Sequence, residues 1–475
     1  MKKSIAVLLL LALCLSLFGC AAELPAETTV PTEPTQAPAG PVMIGFGRED
    51  ITPETSVHLQ GGDWANRVSN GVLDPIFVTC VAVTQGEQSF LLLTVDFKLA
   101  TNNIVQELRP KIRRATGIPE ANIVIAGTHT HSSVAVRYDW AGVNEYKEFF
   151  YESALKAVDS AMNDRAEAEL YAGSTQAEGL VNVRHYLMND GTYAGSNFGD
   201  WTSGIVSHAR EADCELQLIN CVREGKKDVL LMSFPCHATF NESGLKISAD
   251  FPGPMRSYVE SQADVLVAYF IGAAGDQTPG SRIPEKKYTD DYVQHGERLG
   301  EYALEALDTL TKVETNGIAT KLKTYTGPTN KKNLDKLEEA KIVKNIASTY
   351  GNSSAELKAA LKQYGFSSRH EANWVVTRAG AGDERMLLLN TLSIGDIAFV
   401  AAQYEMNGHH GKDIKTQSPF AMTFIITCAG QENYIASSES FDYNCYESQC
   451  CYFEQGTAEK LVGIYVDLLK ELKGA

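Results

Sequence analysis

Along residues 42–475, short apolar runs alternate with stretches in which apolar residues recur every three or four positions. The first pattern predicts buried strands and the second predicts amphipathic helices. The stretch VLDPIFVTCVAVTQGEQSFLLLTVDF predicts two strands joined at Gln85-Gly86-Glu87, and IVQELRPKIRRATG predicts a helix that ends at Gly117. Because strands and helices are mixed along the chain, we expect an α/β fold, a layered αββα-type sandwich with large mixed sheets in a single domain.

The remaining elements follow the same two patterns. Further strands are predicted for ANIVIAGTHTH, DCELQLINC, KDVLLMSFPCHA, DVLVAYFIGAAGD and FAMTFIITCAG, with a hairpin in MLLLNTLSIGDIAFVAAQYE. Further helices are predicted for YKEFFYESALKAVDSAMNDR and YVQHGERLGEYALEALDTL. The stretch LDKLEEAKIVKNIASTYGNSSAELKAALKQYG predicts a helical pair, which we interpret as an insertion within residues 320–375.

The N-terminus has the features of an export signal. Residues 1–20 place two lysines before an apolar run that ends in small residues and Cys20. This pattern predicts a bacterial lipoprotein signal with a lipid on Cys20, and an ordinary cleaved secretory signal is the alternative. Residues 21–41 hold five prolines and predict an extended tether. We therefore expect an exported protein, lipid-anchored to the outer face of a bacterial membrane.

Charge and cysteine content narrow the classes of partner and site. The net charge is −17, which argues against nucleic acid as a partner because a phosphate backbone attracts a basic surface. The sequence has ten cysteines and no CxxC pair, which argues against a cysteine-based zinc site.

Four predicted strands end in polar residues suited to chemistry. Strand ends are where ligands gather in layered α/β folds, since side chains converge there on a rigid frame. In chain order these residues are His129 with His131, His237, Asp276 with Thr278, and Glu405.

The histidines and the glutamate form a candidate metal site. On an extended strand, residues i and i+2 point to the same face, so His129 and His131 would face one space. Two histidines and a glutamate with an oxygen donor are a known catalytic zinc set, which makes His129, His237 and Glu405 candidate ligands. The alternative is that these side chains are satisfied polar groups at strand ends.

The other candidates have simpler interpretations. Thr278 is a candidate nucleophile or positioning hydroxyl, and the alternative is that Asp276 and Thr278 only organise the turn in GAAGDQTPG. His409 and His410 lie in MNGHHGKD, which predicts a solvated polar turn. The histidines without a partner spacing are His58, His185, His208, His295 and His370.

Several of these motifs together resemble a known family. GFGREDITP, AGTHTHS, SFPCHAT and GAAGDQTP occur in that order, followed by NYIASSESFDYNCYES, in which Tyr434 and Tyr446 are twelve residues apart. Over residues 43–460 this series resembles the catalytic domain of the neutral/alkaline, non-lysosomal ceramidases. That family looks like zinc-dependent amidases that split ceramide into a sphingoid base and a fatty acid.

The resemblance implies a site with one zinc ion per chain. It implies the zinc ligands His129, His237, Glu405 and Tyr434. It implies acid/base work for His131, substrate contact for Arg184, a place beside the scissile amide for Tyr446, and a Gly-Asp motif of Asp276 and Thr278.

Three departures from the family bear on the substrate. Thr278 stands where the family has serine, and SVAV follows THTHS where the family has Gly-Pro-Gly-Gly. The chain also ends about 30 residues past Tyr446, so we expect no C-terminal immunoglobulin-like domain. The expected substrate is ceramide or a related N-acyl lipid. The alternatives are a metal-dependent amidase or esterase for another acylated substrate, or a non-catalytic surface-binding lipoprotein.

Overall fold

The computed structural model describes most of the chain after the predicted signal and tether. The described residues are 40–61, 67–140, 142–195, 204–283, 285, 291–430 and 433–474. They fall within one compact unit, Ala37–Ala475. The predicted lipoprotein signal, the lipid on Cys20 and all but the last two residues of the predicted tether lie outside the described residues. Among the described helices, none combines the length and hydropathy that a membrane span requires.

The larger sheet is mixed. Its strands lie in the order Val265–Ile271, Asp228–Phe234, Glu215–Arg223, Ala166–Gln176, Val42–Asp50, Phe77–Gln85, Gln88–Val95 and Ile123–Gly127, and Thr311–Lys312 also pairs with Ala166–Gln176. The first two strands of this order are parallel, as are the last two, and the other neighbours are antiparallel. The predicted hairpin is confirmed, with Gly86 between its strands at φ 58°.

A smaller sheet and several short pairings complete the strands. The smaller sheet has the order Ile318–Pro328, Glu384–Ile394, Ile397–Ala401 and Met422–Ile426. A separate sheet has the order Tyr193–Gly195, His185–Met188 and Ile205–His208. The two-residue pairs are Leu59–Gln60 with Ser133–Val134, Asn182–Val183 with Gln277–Thr278, and Glu405–Met406 with Tyr434–Ile435.

The helices connect the strands. The α-helices are Asn102–Thr116, Val143–Asn163, Pro252–Gln262, Tyr292–Leu307, Leu337–Tyr350, Ala355–Tyr364, Arg369–Arg378, Gly408–Gln417, Ser438–Asp442, Tyr446–Gln449 and Thr457–Lys473, and the 3-10 helices are Glu120–Asn122 and Leu334–Lys336. The predicted helix end at Gly117 is confirmed, since that glycine caps Asn102–Thr116 in the left-handed region. Within residues 320–375, the first residues belong to a strand of the smaller sheet and the helices begin at Leu334.

The two sheets pack face to face with helices outside them. Phe90 of the larger sheet packs on Phe399 of the smaller one, with ring centroids 5.6 Å apart, in a shared apolar core. The helix Val143–Asn163 covers the outer face of the larger sheet, and Thr457–Lys473 covers that of the smaller sheet. The predicted mixed α/β fold with large sheets is confirmed, and its layers are α, β, β and α.

The GFG motif near the start of the domain serves this packing. A Cβ atom added to Gly45 would lie 1.9 Å from the carbonyl oxygen of Ala161, and one added to Gly47 would lie 2.1 Å from that of Ala157. Real Cβ atoms do not approach that closely, so only glycine lets the first strand lie directly against the helix Val143–Asn163.

A buried ion pair ties the larger sheet to a helix on its outer face. Arg256 donates to both carboxylate oxygens of Asp96, at 2.9 and 2.6 Å. Asp96 also accepts from the Thr128 hydroxyl at 3.0 Å and the Phe77 amide at 2.9 Å. Asp96 therefore holds together the strand ends that lie next to His129.

Replacing Arg256 with methionine is expected to lower the free energy of unfolding by about 3–5 kcal/mol, because it leaves the Asp96 carboxylate buried without its cation. Denaturant unfolding measures this loss. Arg113→Met is the matched control, since Arg113 and Glu120 form an exposed pair at 3.7 Å, which is worth at most about 1 kcal/mol. Equal losses in the two variants would contradict the role given to the buried pair.

Candidate metal centre

A turn, and not an extended strand, brings the rings of His129 and His131 together. The strand ends at Gly127, and His129 has φ 68° in the left-handed region. The prediction that the extended strand continues through both histidines is therefore wrong. The turn nevertheless brings their Nε2 atoms within 3.4 Å of each other. A parallel bridge between Thr130 and Ala238 then sets this turn beside His237.

Glu405 lies at the centre of the cluster. Its Oε2 atom is 3.2 Å from His129 Nε2 and 3.3 Å from His237 Nε2. Glu405 pairs with Tyr434 in a short parallel ladder, and the Tyr434 hydroxyl lies 3.5 Å from His237 Nε2. All four side chains are buried. The structure thus brings together the four residues predicted as metal ligands.

The hydrogen bonds of the two histidines fix where their protons lie. His129 Nδ1 is 2.8 Å from the Lys98 carbonyl oxygen, and His237 Nδ1 is 2.8 Å from that of Ala274. A carbonyl oxygen only accepts, so Nδ1 carries the proton and a neutral ring turns its Nε2 lone pair to the centre. Among the described residues, only the Nε2 atoms of these two rings lie near Glu405 Oε2 as ion-pair partners. Lone pairs that face one another around a carboxylate are repulsive unless a cation lies between them.

The pKa values of the metal-free cluster show which ring carries a proton at both nitrogens. Burial acts to lower the pKa of His129, but Cys428 and Glu405 outweigh it and raise that pKa to about 10. Burial and then the charge of His129 lower the pKa of His237 to about 4. In the metal-free cluster His129 therefore carries the positive charge next to Glu405, and a bound cation would take its place. Two imidazoles, a carboxylate and a phenol oxygen fit a divalent ion such as Zn²⁺.

His131 lies within the cluster rather than behind it. His129, His131 and His237 form a group whose ligand atoms all lie within 4.8 Å of one another. His131 Nδ1 is 3.2 Å from a carboxylate oxygen of Glu242. Burial, followed by the charge of Lys98, lowers the pKa of His131 well below its usual value. Its geometry fits a ligand as well as the predicted acid/base role.

Arg184 is held by a glutamate that the sequence analysis missed. Arg184 Nε donates to Glu447 at 2.6 Å, and His185 Nε2 lies 2.8 Å from the other oxygen of that carboxylate. The Arg184 guanidinium lies 5.4 Å from the ring centroid of Tyr434 and 5.9 Å from that of Tyr446. His185, which has no partner spacing in the sequence, thus has a carboxylate partner in the fold. Local sequence gives no sign of this pair, because Glu447 is 263 residues from Arg184.

His185, Cys445 and Glu447 form a second buried group of potential metal ligands. Glu447 already has Arg184 as its counter-charge at 2.6 Å. We therefore assign this group the role of holding Arg184 against the two tyrosines.

Tyr446 packs against Tyr434, one of the four predicted ligands. Its ring centroid is 5.6 Å from that of Tyr434 and 5.1 Å from that of His370. His370 belongs to the helix Arg369–Arg378, so the helical segment within residues 320–375 reaches the site. His370, which has no partner spacing in the sequence, thus contacts Tyr446 in the fold.

Asp276 contacts the start of the helix Gly408–Gln417. Its Oδ1 accepts the Gly408 amide at 2.7 Å, and its Oδ2 lies 3.5 Å from Arg210 Nη1. Asp276 thus organises the backbone beside the cluster. Thr278 lies in the short antiparallel pair with Asn182–Val183.

The polar turn predicted for MNGHHGKD is wrong, because His409 and His410 lie in the first turn of that helix. His410 is buried, at 3% exposure, and its Nε2 lies 3.8 Å from Glu459. The side chain of His409 is 30% exposed. Its Nδ1 hydrogen-bonds to Arg210, the residue that also approaches Asp276. The two histidines therefore belong to the packed surroundings of the site.

Two solved structures share this architecture. One is described as a ceramidase complexed with C2, with a TM-score of 0.68 at 13% identity over 91% of this chain and 75% of that chain. The other is the neutral ceramidase from Pseudomonas aeruginosa, with a TM-score of 0.66 at 14% identity over the same shares. This chain has the ceramidase fold. No protein-family model matches the sequence. The ceramidase fold, which the motif series implied, is thus confirmed.

Proposed function

We propose that this protein is a metal-dependent hydrolase of N-acyl lipids, which releases a fatty acid and a sphingoid base from ceramide or a related lipid. The convergence of histidine Nε2 atoms on the buried Glu405 Oε2 carries this proposal. The ceramidase fold, shared with a structure described as a ceramidase complexed with C2, supports the reaction class.

In this proposal His129, His237, Glu405 and Tyr434 hold one Zn²⁺ ion. When bound, the ion supplies Lewis acidity, which polarises the amide carbonyl and lowers the pKa of a water molecule. The buried carboxylate offsets part of the ion's charge, and the carbonyls of Lys98 and Ala274 keep both imidazoles in the binding tautomer.

The proton steps fall to His131. Because Glu242 accepts from its Nδ1, His131 presents the Nε2 lone pair to the cluster. This nitrogen takes a proton from water as the water oxygen bonds to the carbonyl carbon. It returns the proton to the amine nitrogen as the C–N bond breaks.

Tyr446 stabilises the developing oxyanion in this proposal, and Arg184 positions the rings around it. The Tyr446 hydroxyl donates a hydrogen bond to the oxygen that becomes negative during attack. Arg184, fixed by Glu447, lies against the rings of Tyr434 and Tyr446 and limits their movement. These side chains therefore keep their positions before the substrate arrives.

The second candidate is an amidase or esterase for a different acylated substrate. Val134, Ala135 and Val136 of the SVAV segment are all fully buried, and Ser133–Val134 pairs with Leu59–Gln60. This fixed segment next to His131, together with Thr278, favours a pocket that differs from that of the resembled family. A purely binding lipoprotein is disfavoured, because all four proposed ligands are present and converge. Export and anchoring through Cys20 remain part of the proposal.

Mass spectrometry of the products tests the proposed function. The full chain is incubated with ceramides, other N-acyl lipids and acyl esters, each with and without a chelator. We expect release of fatty acid and sphingoid base that falls to background with the chelator and returns when zinc is added. Chelator-sensitive release from other amides or esters alone would favour the second candidate. Release that the chelator does not change would reject a metal-dependent reaction.

A further inference from the structure

Exposed apolar side chains are concentrated around one edge of the metal centre. Thirteen large apolar side chains are exposed among the described residues, and six of them lie in three segments near His131. We call these six residues the apolar rim. They are Val68, Val72, Leu73, Tyr138, Trp140 and Leu245.

Backbone contacts connect the rim to the site. Arg67 donates to the carbonyl oxygen of His131 at 3.0 Å and to that of Gly244 at 2.7 Å. Val72 forms a parallel bridge with Ile247. The segments that carry Val68 and Leu245 are therefore joined to each other and to the backbone of His131.

The surface of the rim has the features of a membrane interface. A cavity of about 330 Å³ opens there, lined by Asn70, Leu73, Asn241, Gly244, Leu245 and Lys246. His58 forms a bridge with Val68 and its ring lies 4.5 Å from that of Trp140. The rings of Tyr138 and Trp140 stack with centroids 4.4 Å apart while both residues stay exposed. Exposed tyrosine and tryptophan are typical of protein surfaces at the headgroup level of a bilayer.

The rim lacks the strong negative charge of the chain as a whole. The net charge of the chain is −17. The segments 67–73, 137–140 and 241–246 instead carry three basic and two acidic residues. Arg67 is buried on backbone carbonyls, so the outer charges of the rim, Arg137 and Lys246 against Asp139 and Glu242, balance. Such a region can approach anionic headgroups, which repel most of the remaining surface.

The predicted tether joins the domain at a position that allows the rim to face a bilayer. Gly40 accepts a hydrogen bond from Gln85, at the end of the larger sheet opposite to Gly127 and His129. The nine-residue strand Val42–Asp50 spans about 30 Å between these ends. The predicted tether of residues 21–41 would extend to about 65 Å. A lipid on Cys20 could therefore hold the chain at a bilayer while the rim faces it.

We propose that the apolar rim docks on an anionic lipid bilayer, so that a lipid substrate enters the metal site directly from the membrane. The choice of a lipid surface rests on the proposed function. A protein partner on the same surface is the competing occupant.

Tryptophan quenching tests the docking. The full chain is bound to anionic vesicles whose acyl chains carry bromine, and the emission of Trp140 is taken as the difference between the wild type and Trp140→Phe. We expect the Trp140 emission to be quenched at least about threefold more than that of Trp374 in the helix Arg369–Arg378. Equal quenching of the two would overturn the proposal and favour a protein partner.

Charged substitutions test the same surface. Leu73→Glu combined with Leu245→Glu is expected to remove the quenching of Trp140. The matched control is Met386→Glu, because Met386 is 65% exposed on the smaller sheet, outside the rim. Quenching that survives the double variant would overturn the proposal.

Hydrolysis, measured separately, distinguishes the docking from the proposed function. With docking and the proposed function both correct, the double variant loses rate on vesicle-embedded lipid and keeps its rate on a dispersed short-chain amide. Trp140 quenching without hydrolysis of any lipid would leave docking standing and remove the proposed function. Hydrolysis of vesicle lipid without Trp140 quenching would support the proposed function and overturn the docking.

Discussion

Replacing His237 with alanine is expected to abolish metal binding and lower the hydrolytic rate at least about 10³-fold, since a metal ion contributes several kcal/mol to the transition state. The Nε2 atom of His237 lies 3.3 Å from Glu405 and 3.5 Å from the Tyr434 hydroxyl, so its loss opens the centre of the ligand set. Metal content per chain and the initial rate with added zinc measure the two effects. His129→Ala is expected to behave in the same way.

Two further histidine variants make this result specific. His58→Gln is the control, because the His58 ring lies 4.5 Å from that of Trp140 and belongs to no ligand group among the described residues. It is expected to retain its metal. His131→Gln separates the two roles that fit His131: a proton carrier retains the metal and loses rate, whereas a ligand loses both. Full metal content in His237→Ala would remove His237 from the proposed ligand set.

The parts of the site that sequence reasoning found are those that follow strands. Apolar runs place the strand ends, and a strand that stops at a histidine in a layered fold gives that residue a shared edge with others. His129 and His237 were found in this way. Strand-end reasoning correctly predicted that the rings of His129 and His131 lie close together. It did so although the strand stops at Gly127, because the left-handed turn at His129 also brings the rings together. Local pattern does not specify such a turn.

The parts that sequence reasoning missed or misplaced depend on long-range contacts. Glu447 pairs with Arg184 across 263 residues, and Asp96 pairs with Arg256 across 160 residues. No periodicity links such positions, since each ion pair exists only once the layers have packed. His410 was misplaced for a related reason. Its polar neighbours predict solvent, but the packing of its helix buries it.

Tyr446 and Tyr434 show what the motif resemblance added. Neither spacing nor composition points to these tyrosines, whereas the resemblance implied both. The structure places their ring centroids 5.6 Å apart, with the Tyr434 hydroxyl at the histidine cluster. The resemblance therefore supplied side chains that strand-end reasoning does not reach.

Replacing Tyr446 with phenylalanine is expected to lower kcat about 10²–10³-fold, the range for removing one hydrogen-bond donor to a developing oxyanion. Phenylalanine keeps the ring contacts with Tyr434 and His370, which lie at 5.6 and 5.1 Å between centroids. KM and metal content are therefore expected to change little. Steady-state rates on a dispersed short-chain amide, together with the metal content of the same sample, measure the split.

Tyr452→Phe is the control for loss of a tyrosine hydroxyl, because the Tyr452 ring packs on the Arg385 guanidinium at 3.9 Å and on the Trp374 ring at 4.9 Å. Tyr434→Phe provides the contrast, since loss of a proposed ligand oxygen is expected to weaken metal binding as well as the rate. If Tyr446→Phe kept its full kcat, the hydroxyl would have no part in stabilising the oxyanion. If it lost metal in parallel with Tyr434→Phe, Tyr446 would support the ligand set and would not act on the substrate.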